Sequence, residues 1–259
     1  MLRTRRSRLI ASSLTAVTLG LTVAGYQAGA AVTSPSDGAV KSVASTAHTA
    51  QAANAAKAGG TCLTDATTLV GDLDGDGNMD LIGNPGHNGT KMTIQWGAKD
   101  GSFGKKHTVK DLVGAGKGEV ATAAVADFQN DGTLDMVVSI VEPSGGDDPN
   151  TSSLSEFRPG PLDRTDLTSP DAVHSDVGDK GEVQQLSIAK YNDDEFPDLA
   201  VRNNNGDGMT NRDVRLSQPD GTLGEYDGKA NGQYGDSGTW GEPPAMPKDG
   251  WKQFYKPCA

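Results

Sequence analysis

The stretch that decides the fold runs from Gly71 to Gly83 and reads GDLDGDGNMDLIG. Its acidic residues are Asp72, Asp74, Asp76 and Asp80. Carboxylates crowded this closely repel one another unless a hard cation binds among them, and Ca²⁺ takes about six to eight oxygen ligands. Gly75 and Gly77 permit the tight turn that such a loop needs. The stretch therefore predicts a calcium site made by the four aspartate side chains and the backbone carbonyl of Asn78.

A second copy of the loop occupies residues 127–135. Its predicted ligands are Asp127, Gln129, Asp131, Thr133 and Asp135. Gln129 supplies a neutral carbonyl where the first loop has an acid, and Thr133 takes the position of the backbone carbonyl ligand. Because affinity for Ca²⁺ follows the charge of the ligands, the second loop is expected to bind more weakly than the first.

A third, degenerate copy begins with Lys190 where the other loops begin with aspartate. It keeps Asn192, Asp194 and Asp198, but has Glu195 where a glycine is expected. An ammonium group at the position of the cation predicts a salt bridge from Lys190 to Asp194 and Asp198. A weak metal site at Asn192, Asp194 and Asp198 is the alternative.

An EF-hand is the main competing interpretation of the acidic loops. An EF-hand needs a bidentate acid at loop position 12 and a helix on each side. Position 12 is Gly83 in the first loop and Val138 in the second, and the flanking segments are short and rich in strand-forming residues. The sequence therefore favours loops between β-strands.

Each loop lies between two apolar segments that read as strands, as in Ala123–Ala126 before the second loop and Met136–Ile140 after it. With these loops and flanks, residues from about 70 to 226 resemble the FG-GAP or VCBS repeat family, which includes the calcium-loop blades of integrin α-subunits. The resemblance implies an all-β fold, a small or partial β-propeller of about three recognisable blades, with Ca²⁺ held between two strands of a blade.

Three blades are fewer than the four to eight that propellers generally use, so the ring needs completion. There are three alternatives. Either the two termini join to form a fourth blade, or a second chain completes the ring, or the ring is shortened and open. Cys62 and Cys258 are the two cysteines of the chain and lie near the ends of the folded segment, which predicts a disulfide that closes the seam.

Three segments of the sequence predict an exported protein with one folded domain. Residues 1–30 have the basic start, apolar middle and small-residue end of a signal peptide, with Sec and twin-arginine export both left open. Residues 31–60 read as a flexible linker rich in Ala, Ser and Thr, and residues 61–259 as the repeat domain. We therefore expect a secreted, extracellular protein with no membrane span in the mature chain.

Charge and the lack of catalytic motifs limit the function classes. The formal charge is −11, and loss of the four arginines in residues 1–30, which contain no acid, would leave −15; this balance argues against nucleic acid as a partner. The sequence predicts no catalytic residue and no organic cofactor. It favours a calcium-stabilised module for extracellular glycan or protein binding, such as cell adhesion. A polysaccharide hydrolase or lyase, a subunit of a larger assembly, and a homodimer remain as alternatives.

Overall fold

The computed structural model of the protein describes residues 60–259. The predicted signal peptide, and the predicted linker except for its last residue, lie outside this part. Residues 60–259 form thirteen strands in three antiparallel sheets, with a few short helices, which confirms the predicted all-β class. None of the helices in this part is long and apolar enough to cross a membrane.

The three sheets are meanders in which consecutive strands pair. The first sheet contains β1 Cys62–Asp65, β2 Thr68–Gly71, β3 Asp80–Gly83, β4 Thr93–Gly97 and β5 Phe103–Thr108. The second contains β6 Val120–Ala126, β7 Asp135–Val141, β8 Leu154–Arg158 and β9 Val173–His174. The third contains β10 Glu182–Ala189, β11 Asp198–Gly206, β12 Met209–Arg215 and β13 Asp236–Thr239. The α-helices are α1 Val109–Leu112, α2 Gly228–Tyr234 and α3 Gly250–Phe254.

The predicted unit of strand, acidic loop and strand is present in each sheet. The three loops join β2 to β3, β6 to β7, and β10 to β11. The strands around the second loop are the most deeply buried: every residue of β7 is buried, and so is every residue of β6 after Val120. Continuous runs of Ala, Val and Ile suit this position because both faces of the strand pack against protein.

The three sheets share one hydrophobic core. Its fully buried members include Leu69 and Ile82 from the first sheet, Val125 and Val137 from the second, and Leu186 and Leu199 from the third. Backbone hydrogen bonds also cross between sheets, since the β3–β4 connection accepts from Ala123 at its Gly89 carbonyl (3.1 Å). A Cβ at Gly89 would lie 2.3 Å from the Ala123 carbonyl oxygen, so this approach requires glycine.

The two ends of the described part meet at β1. Leu63 and Pro257 form a parallel bridge, with Leu63 N donating to Lys256 O (2.9 Å) and Cys258 N donating to Leu63 O (2.8 Å). The predicted disulfide is present between Cys62 and Cys258, whose Cα atoms are 5.0 Å apart.

The fourth blade considered for the joined termini is not formed by residues 60–259. β1 is an edge strand of the five-stranded first sheet and pairs with β2. The C-terminal residues pair only with the free edge of β1, through the bridge between Leu63 and Pro257. The residues before them form α3, whose Trp251 is buried and donates its indole N–H to Val125 O (2.7 Å). The C-terminal segment therefore fills space beside the sheets instead of adding strands.

The segment 142–182 is structured, although its stretch SGGDDPN at residues 144–150 has a composition typical of disordered surface insertions. It contains β8 and β9, and its buried side chains include Phe157, Leu162, Leu167 and Val177. These scattered apolar residues pack against the common core, a contact that local composition does not reveal. Leu162 N also donates to Leu73 O (2.9 Å), which holds this segment against the first acidic loop.

Candidate metal centre

The first acidic loop brings three of its predicted ligands together. Asp72, Asp74 and Asp80 each offer a carboxylate oxygen, and these oxygens all lie within 4.8 Å of one another. Gly75 and Gly77 have φ of 72° and 79°, so the glycines make the turn that points the acids inward. Within residues 60–259 this is the one group of three or more acidic, histidine or cysteine side chains close enough to share a metal ion.

Backbone N–H groups hold the carboxylates of the loop in place. Asp72 accepts from Gly75 N (2.8 Å) through Oδ1 and from Gly77 N (2.9 Å) through Oδ2. Asp74 Oδ1 accepts from Asp76 N (3.1 Å). The side chains are thus positioned by the loop itself, before any ligand binds.

Asp80 is the buried member of the group, with no exposed surface. Its Oδ2 accepts from Leu73 N (2.9 Å) and its Oδ1 from Gly97 N (2.7 Å). Burial raises the pKa of Asp80 to about 7, and the charges of Asp74 and Asp72 add to this, while the two backbone hydrogen bonds act in the opposite direction. A divalent cation at the loop would favour the ionised form of this carboxyl.

The same pair of hydrogen bonds recurs in all three loops. Asp135 accepts from Phe128 N (2.8 Å) and Gly160 N (2.8 Å), and Asp198 accepts from Tyr191 N (2.7 Å) and Ser217 N (3.1 Å). In each sheet, the last aspartate of the loop begins a strand and ties the second residue of the loop to a residue at the end of the next strand, or two positions beyond it. The third loop keeps this tie although its first position is a lysine, so the tie does not depend on a complete set of acids.

Asp74 and Asp76 share a cationic partner, Arg164, which comes from the connection between β8 and β9. Arg164 Nε donates to Asp74 Oδ2, and Arg164 Nη2 donates to Asp76 Oδ2. Partial burial raises the pKa of Asp76, but hydrogen bonds from Asn78 and the charge of Arg164 outweigh it and leave the pKa below its ordinary value. The guanidinium also lies 5.7 Å from the ring centre of Trp96.

The second sheet delivers Arg164 to a loop of the first sheet. The backbone bond from Leu162 to Leu73 anchors the connection, and Gly75 lies so close to Pro161 that a Cβ on Gly75 would be 2.7 Å from Pro161 Cβ. Arg164 was not among the predicted site residues, because nothing in the local sequence pattern links it to an acidic loop more than 80 residues away.

The second loop has the same backbone design with fewer acids. Asp127 accepts from Asp131 N (3.0 Å) and Gly132 N (3.0 Å), and Asp131 Oδ1 accepts from Thr133 N (2.8 Å). Burial raises the pKa of Asp135 to about 6. Its three acids are not gathered as closely as those of the first loop, since Gln129 stands where the first loop has its second aspartate. Gln129 N instead donates to Asp135 Oδ2 (3.1 Å).

The salt bridge predicted in the third loop, from Lys190 to Asp194, is not formed. The Lys190 ammonium donates to the backbone carbonyl of Asp194 and lies 5.6 Å from the ring centre of Phe254. The Asp194 carboxylate is taken up by Asn192 Nδ2 (2.6 Å) and Phe196 N (3.0 Å), so it does not pair with the lysine. The cationic side chain nevertheless lies at the loop, as the sequence predicted.

Comparison with known families gives an independent identification of the repeat. Residues 72–138 match the FG-GAP-like repeat. The match begins at the first ligand of the first loop and ends in β7, just after the second loop, so it contains both acidic loops. No curated protein matches the chain in sequence.

The donor chemistry of the first FG-GAP-like loop fits a calcium ion. Carboxylate oxygens are the hard ligands that Ca²⁺ prefers, and Asp72, Asp74 and Asp80 supply them from one turn. Asp76 and the carbonyl of Asn78 remain predicted ligands. Arg164 acts in the opposite sense, because its positive charge already offsets the repulsion between Asp74 and Asp76.

Proposed function

We propose that the protein is a secreted, calcium-binding repeat module with a propeller-like fold, which binds glycan or protein outside the cell. The observation that carries the proposal is the convergence of Asp72, Asp74 and Asp80 in an FG-GAP-like repeat. Repeats of this family often bind Ca²⁺. The second loop, with Asp127, Asp131 and Asp135, is a second and weaker site.

Calcium acts here as a structural ion. The first loop joins β2 to β3, and all of its predicted ligands belong to it, so an ion bound there rigidifies the turn and ties these two strands together. The disulfide between Cys62 and Cys258 supports the extracellular part of the proposal, because disulfides persist in oxidising compartments.

Thermal unfolding with and without Ca²⁺ tests the calcium part. An ion that binds only the folded state stabilises it by about 2.7 kcal/mol when its free concentration is about 100 times Kd. We expect a higher Tm in Ca²⁺ than in chelator, and we expect Asp74→Asn to remove most of the difference. Asp171→Asn is the matched control, because Asp171 is exposed and lies outside the three loops. Equal melting curves in Ca²⁺ and chelator would refute the proposal.

A further inference from the structure

A cleft of about 370 Å³ lies on the third sheet. Its polar and aromatic lining residues are Glu182, Gln184, Arg202, Asn204, Thr210 and Trp240. Pro143, Gly145 and Gly146, from the connection between β7 and β8, also line the cleft. Glu182 and Gln184 begin β10, whereas the third acidic loop follows the end of β10, so the cleft and the acidic loop lie at opposite ends of the strand.

Within residues 60–259, Arg202 is the one cationic residue in the lining of this cleft. Arg202 Nε is buried without a hydrogen-bond partner, and the side chain forms no ion pair in this part of the chain. Arg158 and Arg215 contrast with it, since their Nε atoms pair with Glu156 (2.8 Å) and Asp176 (2.6 Å). A buried N–H without an acceptor is costly, so an oxygen atom of a ligand in the cleft would be a favourable acceptor for the Arg202 guanidinium.

Trp240 supplies an apolar surface at the edge of the same cleft. Its side chain is fixed, because the indole N–H donates to Asn204 Oδ1 (3.2 Å) and the backbone N–H donates to Gly208 O (3.0 Å). Asn204 is itself buried and accepts from Gly206 N (3.0 Å). Trp240 is nevertheless 45% exposed, which leaves ring surface open to a ligand.

Glu182 is the one acidic residue of the described part that lines the cleft, and its carboxylate is hydrogen-bonded to a neighbouring segment. Glu182 Oε2 accepts from Ser144 N (2.8 Å) and Asn150 N (3.4 Å), so its carboxylate is directed to the 143–150 segment. Gln184 and the buried Thr210 supply neutral hydrogen-bonding groups. The cleft thus combines a guanidinium that forms no ion pair within residues 60–259, a rigid aromatic ring and neutral polar groups.

We propose that this cleft binds an acidic sugar, with the Arg202 guanidinium pairing with the carboxylate of a hexuronate unit and Trp240 packing against the pyranose ring. The planar fork of arginine matches a carboxylate, and an aromatic face packs well on the apolar C–H face of a sugar. A volume of about 370 Å³ accommodates one or two sugar units. The inference rests on the proposed function, and it names the class of glycan that the module binds.

Binding of trigalacturonate tests the inference. Its fully methyl-esterified form is the matched control, because it has a similar shape but carries no charge. Calorimetric titrations in Ca²⁺ should show the acid binding at least about tenfold more tightly than the ester, because a charge-assisted hydrogen bond is lost in the ester. Arg202→Gln should weaken binding of the acid by at least about tenfold and leave the ester almost unchanged. Trp240→Ala should weaken both ligands, and Lys229→Gln, which removes an exposed cation outside the cleft, should weaken neither.

The outcomes separate this inference from the calcium proposal. Equal affinity for acid and ester, or unchanged binding by Arg202→Gln, would overturn the acidic-sugar site even if Ca²⁺ raises the Tm. Binding that follows the expected pattern in a protein without a calcium-dependent Tm would support the cleft and refute the calcium site. An unchanged Tm of Arg202→Gln in Ca²⁺ establishes that its loss of binding does not come from unfolding.

Discussion

Replacing Arg164 by glutamine is expected to increase the calcium affinity of the first loop. In the wild-type protein the guanidinium pairs with Asp74 and Asp76, so an ion that recruits either carboxylate competes with it. Glutamine removes the charge but keeps a polar side chain of moderate length. The change therefore isolates the competition between the arginine and the ion.

The size of the effect follows from the exposure of the three side chains. Arg164 is 44% exposed and Asp76 is 35% exposed, whereas Asp74 is only 5% exposed. Exposed ion pairs contribute about 0.2–1 kcal/mol, and the buried position of Asp74 places this pair of contacts at the upper end of that range. A loss of competition of about 1 kcal/mol corresponds to a Kd about fivefold lower.

Calorimetric titration of calcium measures the change directly. The titration is best made in an Asp131→Asn background, so that the second loop contributes little heat. Arg164→Lys is the matched control, because it keeps the charge but loses the planar fork, and its Kd should lie between that of the wild-type protein and that of the Arg164→Gln variant. The difference between Arg164→Gln and wild type should shrink as salt increases, since screening weakens the ion pairs. An unchanged or higher Kd for Arg164→Gln would refute competition between this side chain and the ion.

Three further predictions concern stability. Replacing both Cys62 and Cys258 by serine should lower the free energy of unfolding by about 5 kcal/mol, because the disulfide closes a loop between residues 196 positions apart and so restricts the unfolded chain. Urea unfolding at equal calcium concentration measures this loss, and a loss below about 1 kcal/mol would contradict the estimate. In calcium-free buffer, the free energy of unfolding should fall as the pH rises from about 4 to 7. Over this range Asp80, whose pKa is raised from 3.8 to about 7, stays protonated in the folded state, whereas the unfolded chain releases the proton. Asp80→Asn should reduce that slope but leave part of it, because Asp135, with its pKa raised to about 6, acts in the same direction. An equally steep slope in the variant would assign it to other groups. Asp198→Ala should cost about 2–4 kcal/mol by leaving two backbone N–H groups without their acceptor, with no change in calcium stoichiometry, and a stability within about 0.5 kcal/mol of wild type would argue against the tie.

Much of the candidate site was predictable because its geometry is local. Asp72, Asp74 and Asp80 lie within one turn, so their spacing alone brings the carboxylates together. The flanking strands were predictable for a similar reason, since runs such as Ala123–Ala126 have the composition of buried strands. β5 and β13 were not anticipated, because they are edge strands with few apolar residues and depend on a neighbouring strand for their hydrogen bonds.

The sequence by itself determined the acidic turns, the repeated unit of strand, loop and strand, and the pairing of Cys62 with Cys258, because each follows from short spacing or from having two cysteines in all. Only the tertiary structure decided that Arg164 reaches the first loop, that Pro257 pairs with the free edge of β1, and that Arg202 and Trp240 share a cleft. Those contacts join residues that are distant in the chain or on different strands. They depend on how the sheets pack around a common core, and no local pattern of side chains encodes that arrangement.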